Sequence, residues 1–425
     1  MVAIETSGGE GLRGGLLTTA DGKPLKQALA HAQARARRKA LLLVVPLLAF
    51  IVITFVVPIG QLLFRSIHND GFSANMPQIS AWFDETKAGD APDEAAYAAL
   101  VADIAAAAEA RTIGVVGTRV NYELSGTRSL FTSAGRNAED LEPPYREALL
   151  DLNAKWGDPQ LWGVMRSVSS AYSANFYLAA LDLARDENGD IVRAPEDRRI
   201  YGMLFMRTLW LSALITGLCL ILAYPVAHLL AVLPLAKSNL LMILVLLPFW
   251  TSLLVRTTSW MVMLQEQGVI NNTMVALGLV GNESRIQMMY NQAGTIIAMT
   301  HILLPFMILP LYSVMRPINP SYVRAARSLG ATSWTAFRRV YLPQTLPGIG
   351  AGALLVFILS VGYYITPALV GGASGQLISN LIAYHMQDSL NWSLAAALAA
   401  LLLAGVLILY WLYDRLIGID NLKLG

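Results

Sequence analysis

The chain has 425 residues, of which 55% are hydrophobic and only 14% charged, a balance that excludes an ordinary water-soluble protein. Its single cysteine, Cys219, excludes an intrachain disulfide. The formal net charge of +2 hides a segregation: residues 65–199 carry 21 acids against 13 bases, whereas the rest carries 8 acids against 18 bases. Such segregation reports membrane sidedness rather than nucleic-acid binding.

Residues 1–38 open Gly- and Thr-rich and then turn basic. The stretch 26–39 reads as a basic helix on an anionic leaflet, or simply as the charged flank of the span that follows. Six stretches reach the roughly 20 apolar residues that a helix needs to cross a bilayer: 40–64, 205–229, 240–264, 293–314, 348–370 and 393–413. Arg35, Arg37, Arg38 and Lys39 precede the first and place its N-terminal side in the cytoplasm. The basic leader is too long for a cleaved signal peptide, and no small-x-small site follows Phe64. The loops then alternate. The acidic segment 65–204 lies outside, Lys237 inside and 265–292 outside. Residues 316–344 lie inside with five arginines and no acid, 371–391 outside, and the tail with Arg415 and Lys423 inside. The expected organisation is a cytoplasmic segment 1–38, a first helix 39–64 and an extracytoplasmic inserted domain 65–204 of mixed structure. A five-helix core 205–413 and a cytoplasmic tail 414–425 complete it. The fold class is an all-α integral membrane protein of six transmembrane helices.

Pro46, Pro58, Pro225, Pro248, Pro305, Pro310 and Pro367 fall in or beside the spans. Each frees a backbone carbonyl and bends its helix, for packing or to line a path. In the outer segment, residues 92–111 are Ala-rich with acids at their start, a strong helix signal. Asn188-Gly189 marks a turn between 178–183 and 191–192, predicting a hairpin. Asp186, Asn188 and Asp190 resemble a calcium loop, but Ile191 stands at its sixth position and Asp197 at its twelfth, so a solvated turn is the reading. Trp156, Trp162 and Tyr172 read as core or interface aromatics. His228 and His301 lack metal-ligand spacing and read as polar packing residues; no metal or cofactor is expected.

The inner loop 316–344 carries the most specific pattern: Arg324-Ala325-Ala326, three residues, Gly330, nine residues, Val340-Tyr341-Leu342-Pro343. Asn319 caps a helix that opens on Pro320 and runs to about Leu329, where Gly330 supplies a left-handed residue. Thr332 or Ser333 caps a second helix through Arg339, ended by Leu342-Pro343, which feeds the fifth span. Tyr322, Ala325, Ala326 and Leu329 share one face, kept shallow by the alanines. Such an elbow either docks a partner or packs on its own bundle, and spacing alone leaves both open.

The loop resembles the "EAA" loop of permease subunits of binding-protein-dependent ABC importers, with Arg324 where the family has Glu and Val340 where it has Ile. The likeness extends to Arg207-Thr208-Leu209 and Ala223-Tyr224-Pro225-Val226-Ala227. It continues through residues 248–257, Trp260-Met261, Gly268-Val269-Ile270-Asn271, Ile365-Thr366-Pro367 and Asn391-Trp392. Together these resemble the spermidine/putrescine (PotB-type) permeases. The resemblance implies a type I importer (MetI-like) permease fold and a half-pore paired with a second permease subunit. It also implies two copies of an ATP-binding ABC subunit below and an extracytoplasmic solute-binding protein above, in the inner membrane. The loop residues Arg324, Ala325, Ala326, Gly330, Val340, Leu342 and Pro343 would then couple ATPase closure to the spans. No Gly-x-x-x-x-Gly-Lys-Ser/Thr occurs, so ATP hydrolysis falls to a partner and the chain is not itself an enzyme.

A polyamine cargo calls for carboxylates and aromatic faces. Glu266 and Asp388 are candidates at the outer mouth, and Trp250, Trp260, Tyr363 and Tyr364 are candidates deeper in. Arg256 sits in an apolar stretch and needs a partner, for which Glu266 is a candidate. Other readings are an importer of opines or other small amino-acid-like solutes, an ion-driven secondary transporter, and a membrane receptor. The last would need a signalling domain that the short tail lacks.

Overall fold

A computed structural model describes residues 25–186 and 189–417. The Gly-rich start, Asn188 of the expected turn and Lys423 of the tail lie outside these residues. The chain divides into two units, Met1–Leu62 and Leu63–Gly425.

In the first unit a helix runs over Leu25–Ile51 and opens into a π turn at Val52–Val56. It continues as Val57–Arg65, with Pro58 in its first turn. A proline ring clashes with the carbonyl four residues back and lacks the N–H that would bond it. Here that carbonyl belongs to Thr54, inside the wide turn, and the Val57 N–H reaches back to Val52. The π turn thus lets an apolar helix pass a proline without ending.

The second unit begins with the segment between the first two spans. It is helical, and among the described residues its strands form one antiparallel hairpin, Leu183–Arg185 against Ile191–Arg193. Residues 178–180, expected as strand, belong instead to the helix Asn175–Ala180. Gly189 (φ 86°) makes the turn, and the Asp186 carboxylate accepts from the Asp190 N–H at 2.8 Å. The Ala-rich stretch forms Glu94–Glu109, capped by Asp93, whose carboxylate accepts from the Ala96 N–H at 2.9 Å. Its buried face meets Phe72, Ile79, Val116, Phe131 and Met165. Trp156 anchors this core: its carbonyl accepts from the Trp162 indole at 2.8 Å and from the Tyr97 hydroxyl at 3.2 Å. Tyr172, grouped with these tryptophans by sequence, is largely exposed. Asp103 is buried and accepts from the Ile79 N–H at 2.8 Å, and burial pushes its carboxyl up to about 6.

Among the described residues five helices are long and apolar enough to cross a membrane, or six if one bent pair counts as a span. The second span, Tyr201–Val232, packs on the fourth, Gln292–Met315, and both pack on the fifth, Leu342–Gly362. Lipid supplies no hydrophobic drive between helices, so close approach must come from small side chains. Gly348 and Gly352 provide it: a Cβ at Gly348 would lie 3.0 Å from Val314 Cβ, and one at Gly352 would lie 2.7 Å from Met307 Sδ. Gly350, on another face of the same helix, leaves room for the Tyr413 hydroxyl of the last span, Trp392–Ile417.

Two spans differ from the sequence expectation. The stretch 240–264 is not one straight helix: Leu235–Trp250 and Leu253–Ala276 meet at 95°. Pro248 lacks the N–H for a helical bond, and the Ser252 hydroxyl starts the second limb by accepting from the Val255 N–H at 3.2 Å. The fifth helix ends at Gly362, eight residues before its expected limit of 370, and Ile365–Val370 is a separate short helix. At its other end the helix does not stop at Leu342-Pro343. Ser333–Gly362 is continuous through a π turn at Phe337–Tyr341. The turn stands two residues before Pro343, as the first stands two before Pro58, so the clashing carbonyl again lies in the widened turn.

Candidate coupling elbow and translocation path

The loop after the fourth span starts with an anchor. The Arg316 guanidinium donates to the carbonyls of Ala231 and Leu233 at 2.6 and 2.8 Å, capping the C-terminus of the second span. The Asn319 side chain then accepts from the Ser321 N–H at 2.9 Å, and Pro320 occupies the position where a missing N–H costs nothing. The helix Ser321–Ser328 closes with paired bonds, Ala331 N–H to Ala326 O at 3.1 Å and Gly330 N–H to Arg327 O at 3.0 Å. This closure requires a left-handed residue, and Gly330 has φ 91°. Thr332, rather than Ser333, caps the next helix by accepting from the Thr335 N–H at 3.2 Å.

The elbow presents Tyr322, Ala325, Leu329 and Trp334 outward; Leu329 is 89% exposed and Trp334 68%. Ala326 is half-buried, so it is recessed from the outward face shared by its neighbours. Arg324 is exposed and makes no ion pair among the described residues. Val340 and Leu342 are half-buried on the way into the bundle, and Pro343 is exposed.

A connection that spacing did not reveal joins this surface to the spans. Trp334 stacks on Phe337 (5.6 Å between centroids), and Phe337 stacks on Tyr341 (6.0 Å). The Tyr341 hydroxyl meets His228 Nδ1 at 2.9 Å, and Tyr224 packs edge-on against Phe337 at 6.0 Å. Tyr224 also reaches Thr345 at 3.2 Å. An aromatic ladder thus runs from the exposed elbow to the second span. Its only trace in sequence is the i, i+3, i+7 spacing of Trp334, Phe337 and Tyr341, which an uninterrupted helix would place on one face.

The expected path residues are partly gathered. The Trp260 indole donates to His301 Nδ1 at 3.0 Å. Thr257, one turn earlier, meets Thr366 at 3.1 Å, and Tyr363 is half-buried just ahead of that threonine. Tyr364 is 39% exposed, and its carbonyl accepts from Asn380 at 2.7 Å. Trp250 stands at the bend of the third span and is 74% exposed. Glu266 and Asp388 are both exposed, with no contact between them among the described residues. The Glu266 partner expected for Arg256 is not found: the guanidinium lies 5.8 Å over the Phe249 ring, with its Nε buried and unbonded. Arg256 instead lies within electrostatic reach of His301 and Tyr363. The bend brings Arg256 to the Phe249 ring, while Glu266 lies ten residues further along the same limb, about 15 Å away along a helix axis.

Residues 208–417 match the family described as binding-protein-dependent transport system inner membrane component. The spermidine/putrescine transport system permease protein PotB of Escherichia coli K12 is 34% identical over 222 residues, covering 52% of this chain and 80% of that one. The Haemophilus influenzae protein of the same name is 35% identical over 224 residues, covering 53% and 78%. A bacterial alginate ABC transporter in complex with its periplasmic protein aligns over 52% of this chain and 79% of its own, at 20% identity and TM-score 0.44. The chain belongs to the binding-protein-dependent permease family. It is an ABC importer permease of the PotB type, a multi-pass inner membrane protein, and its relatives are permease subunits rather than enzymes. The family match starts at Thr208, after the helical insert and its core.

Proposed function

We propose that this permease carries polyamines, spermidine or putrescine, through half of a translocation path, and that the Arg324–Pro343 elbow couples the path to an ATP-binding subunit. The names of the PotB relatives support the cargo. The observation that supports coupling is the elbow itself: Tyr322, Leu329 and Trp334 face outward, and the Trp334–Phe337–Tyr341 ladder leads to His228 in the second span. A push on Trp334 would travel through stacked rings to a helix that packs on the fourth and fifth spans. The assembly in this reading holds two ATP-binding subunits, a second permease and an extracytoplasmic solute-binding protein. Both termini and the residue 316–344 loop face the cytoplasm, and the insert faces outward with residues 265–292 and 371–391. Trp260, Tyr363 and Tyr364 contribute aromatic faces along the path with Trp250 at the bend, while Glu266 and Asp388 supply negative charge at the mouth. Arg324 in place of the family's Glu sets which ATP-binding subunit fits.

Uptake of labelled spermidine by vesicles holding the reconstituted importer tests the reading. Saturable, ATP-dependent uptake that unlabelled putrescine competes away is expected. Uptake that ignores polyamines and is competed by opines or amino acids would overturn the cargo.

A further inference from the structure

The insert is acidic overall, yet one of its surfaces is lined by bases. Arg111, Arg119 and Arg128 line an open cleft of about 420 Å³ with Asn69, Thr118 and Tyr122, and no carboxylate lines it. Arg119 is 3% exposed and held in place: its Nη1 bonds Glu123 at 3.1 Å, and its guanidinium lies 4.6 Å over the Phe176 ring. Its Nε is buried with no hydrogen-bond partner. An unpaired N–H of a buried guanidinium is costly and calls for an acceptor. Arg111 and Arg128 are exposed at the rim and make no ion pair among the described residues. Arg111 also holds a left-handed φ of 59°, at a helix end where glycine is usual.

A second cleft adjoins the first through Asn69 and Tyr122, and it fixes the setting. Arg65, at the end of the helix Val57–Arg65, lines it beside His68, Asp70 and Trp392, the first residue of the last span. Trp392 opens the last span, and Arg65 lines the same cleft beside it. Tryptophan at a span end sits at the headgroup layer. In the topology proposed above, the three-arginine cleft therefore opens toward the phosphates of the outer leaflet. Guanidinium forks match phosphate oxygens and form charge-assisted hydrogen bonds.

We infer that the Arg111–Arg119–Arg128 cleft binds a phosphate group, supplied by the headgroup of an anionic phospholipid at the outer membrane surface. Arg111 and Arg128 engage the oxygens from the rim, and Arg119 holds the floor. Binding there would tie the insert to the membrane at the base of the last span.

The test uses the full chain in mild detergent, titrated with phosphatidylglycerol, phosphatidylcholine or inorganic phosphate and read by native mass spectrometry and thermal shift. Phosphatidylglycerol should be retained in preference to phosphatidylcholine. The double variant Arg111→Gln/Arg128→Gln should weaken retention by about tenfold or more, the loss of one or more charge-assisted bonds. Arg136→Gln, an exposed arginine outside the cleft, should leave it unchanged. Stabilisation by inorganic phosphate, lost in the double variant and without lipid retention, would keep the phosphate site and assign it a soluble source. Equal lipid and phosphate binding by the double variant would overturn the proposal. So would normal lipid binding with weakened docking of the solute-binding protein, which would make the cleft a protein contact. None of these readouts depends on polyamine transport.

Discussion

Trp156, Trp162, Tyr97, Phe131 and Phe72 fill the core between the first two spans, whereas the core of the second, fourth and fifth spans is Leu, Ile, Val, Met, Ala and Cys219, with Tyr341 its one buried ring among the described residues. Outward-facing residues reverse the pattern. The spans expose Trp210, Ile221, Leu240 and Ile408 at more than 60%, each a side chain that water would penalise and lipid accepts. The insert follows the rules of a water-soluble domain, in which large aromatic area is removed from solvent. The bundle gains nothing from moving Leu out of lipid, so it relies on Gly348 and Gly352 to bring backbones together. One chain thus holds two regions whose stability has different physical origins, and substitutions should separate them.

Trp156→Ala should have the largest effect on stability, about 3–5 kcal/mol, because it empties the insert core of its largest fully buried side chain. Limited proteolysis in detergent should then cut within residues 65–200 while the fragment from Tyr201 onward resists. Loss of both regions together would show that the two cores are not independent. Gly352→Leu should act in the opposite place: overpacking against Met307 should cost about 1–3 kcal/mol in the bundle and leave the insert's near-ultraviolet signal intact.

Asp103 gives the insert a pH signature of its own. Its folded carboxyl sits at about 6, above the unfolded value of 3.8, so the native state binds the proton more tightly. Its contribution to stability is therefore full below about pH 4, is lost as pH rises to about 6, and is flat above that. Relative to Asp103→Asn, the wild type should lose on the order of 1–3 kcal/mol across that window, followed by thermal unfolding of the insert. A constant difference across the window would contradict the buried, protonatable carboxyl. The smallest stability effect belongs to Trp334→Ala. At this exposed position a change within about 0.5 kcal/mol is expected, yet uptake per ATP hydrolysed should fall because the ladder loses its outer ring.

Hydropathy located the spans because it is an average over many residues, and averages survive local surprises. The elbow was legible for a different reason. Asn319 and Thr332 act through side chains on backbone N–H groups two or three residues ahead, and Pro320 and Gly330 through their own backbone, so their roles follow from sequence neighbours. Breaks and continuations were not legible. Pro248 bends its span by 95° while Pro343 leaves its helix continuous, and the difference is a π turn that composition does not encode. Long-range partners were equally hidden: the Phe249 ring beneath Arg256 and the His228–Tyr341 bond depend on how helices pack. Glu266 was a candidate partner for Arg256 by proximity in sequence, but ten residues along one helical limb hold the two apart.

In the proposed coupling role, force enters the bundle at the elbow, and Gly330 tests this most directly. Proline cannot adopt φ 91° and has no N–H to give the Arg327 carbonyl, so Gly330→Pro should unmake the bend between the two helices while leaving the spans inserted. In vesicles with the full importer, spermidine uptake by this variant should fall to background at normal membrane abundance, with ATP hydrolysis no longer responding to loaded binding protein. Uptake at the wild-type rate would contradict the coupling role of the elbow.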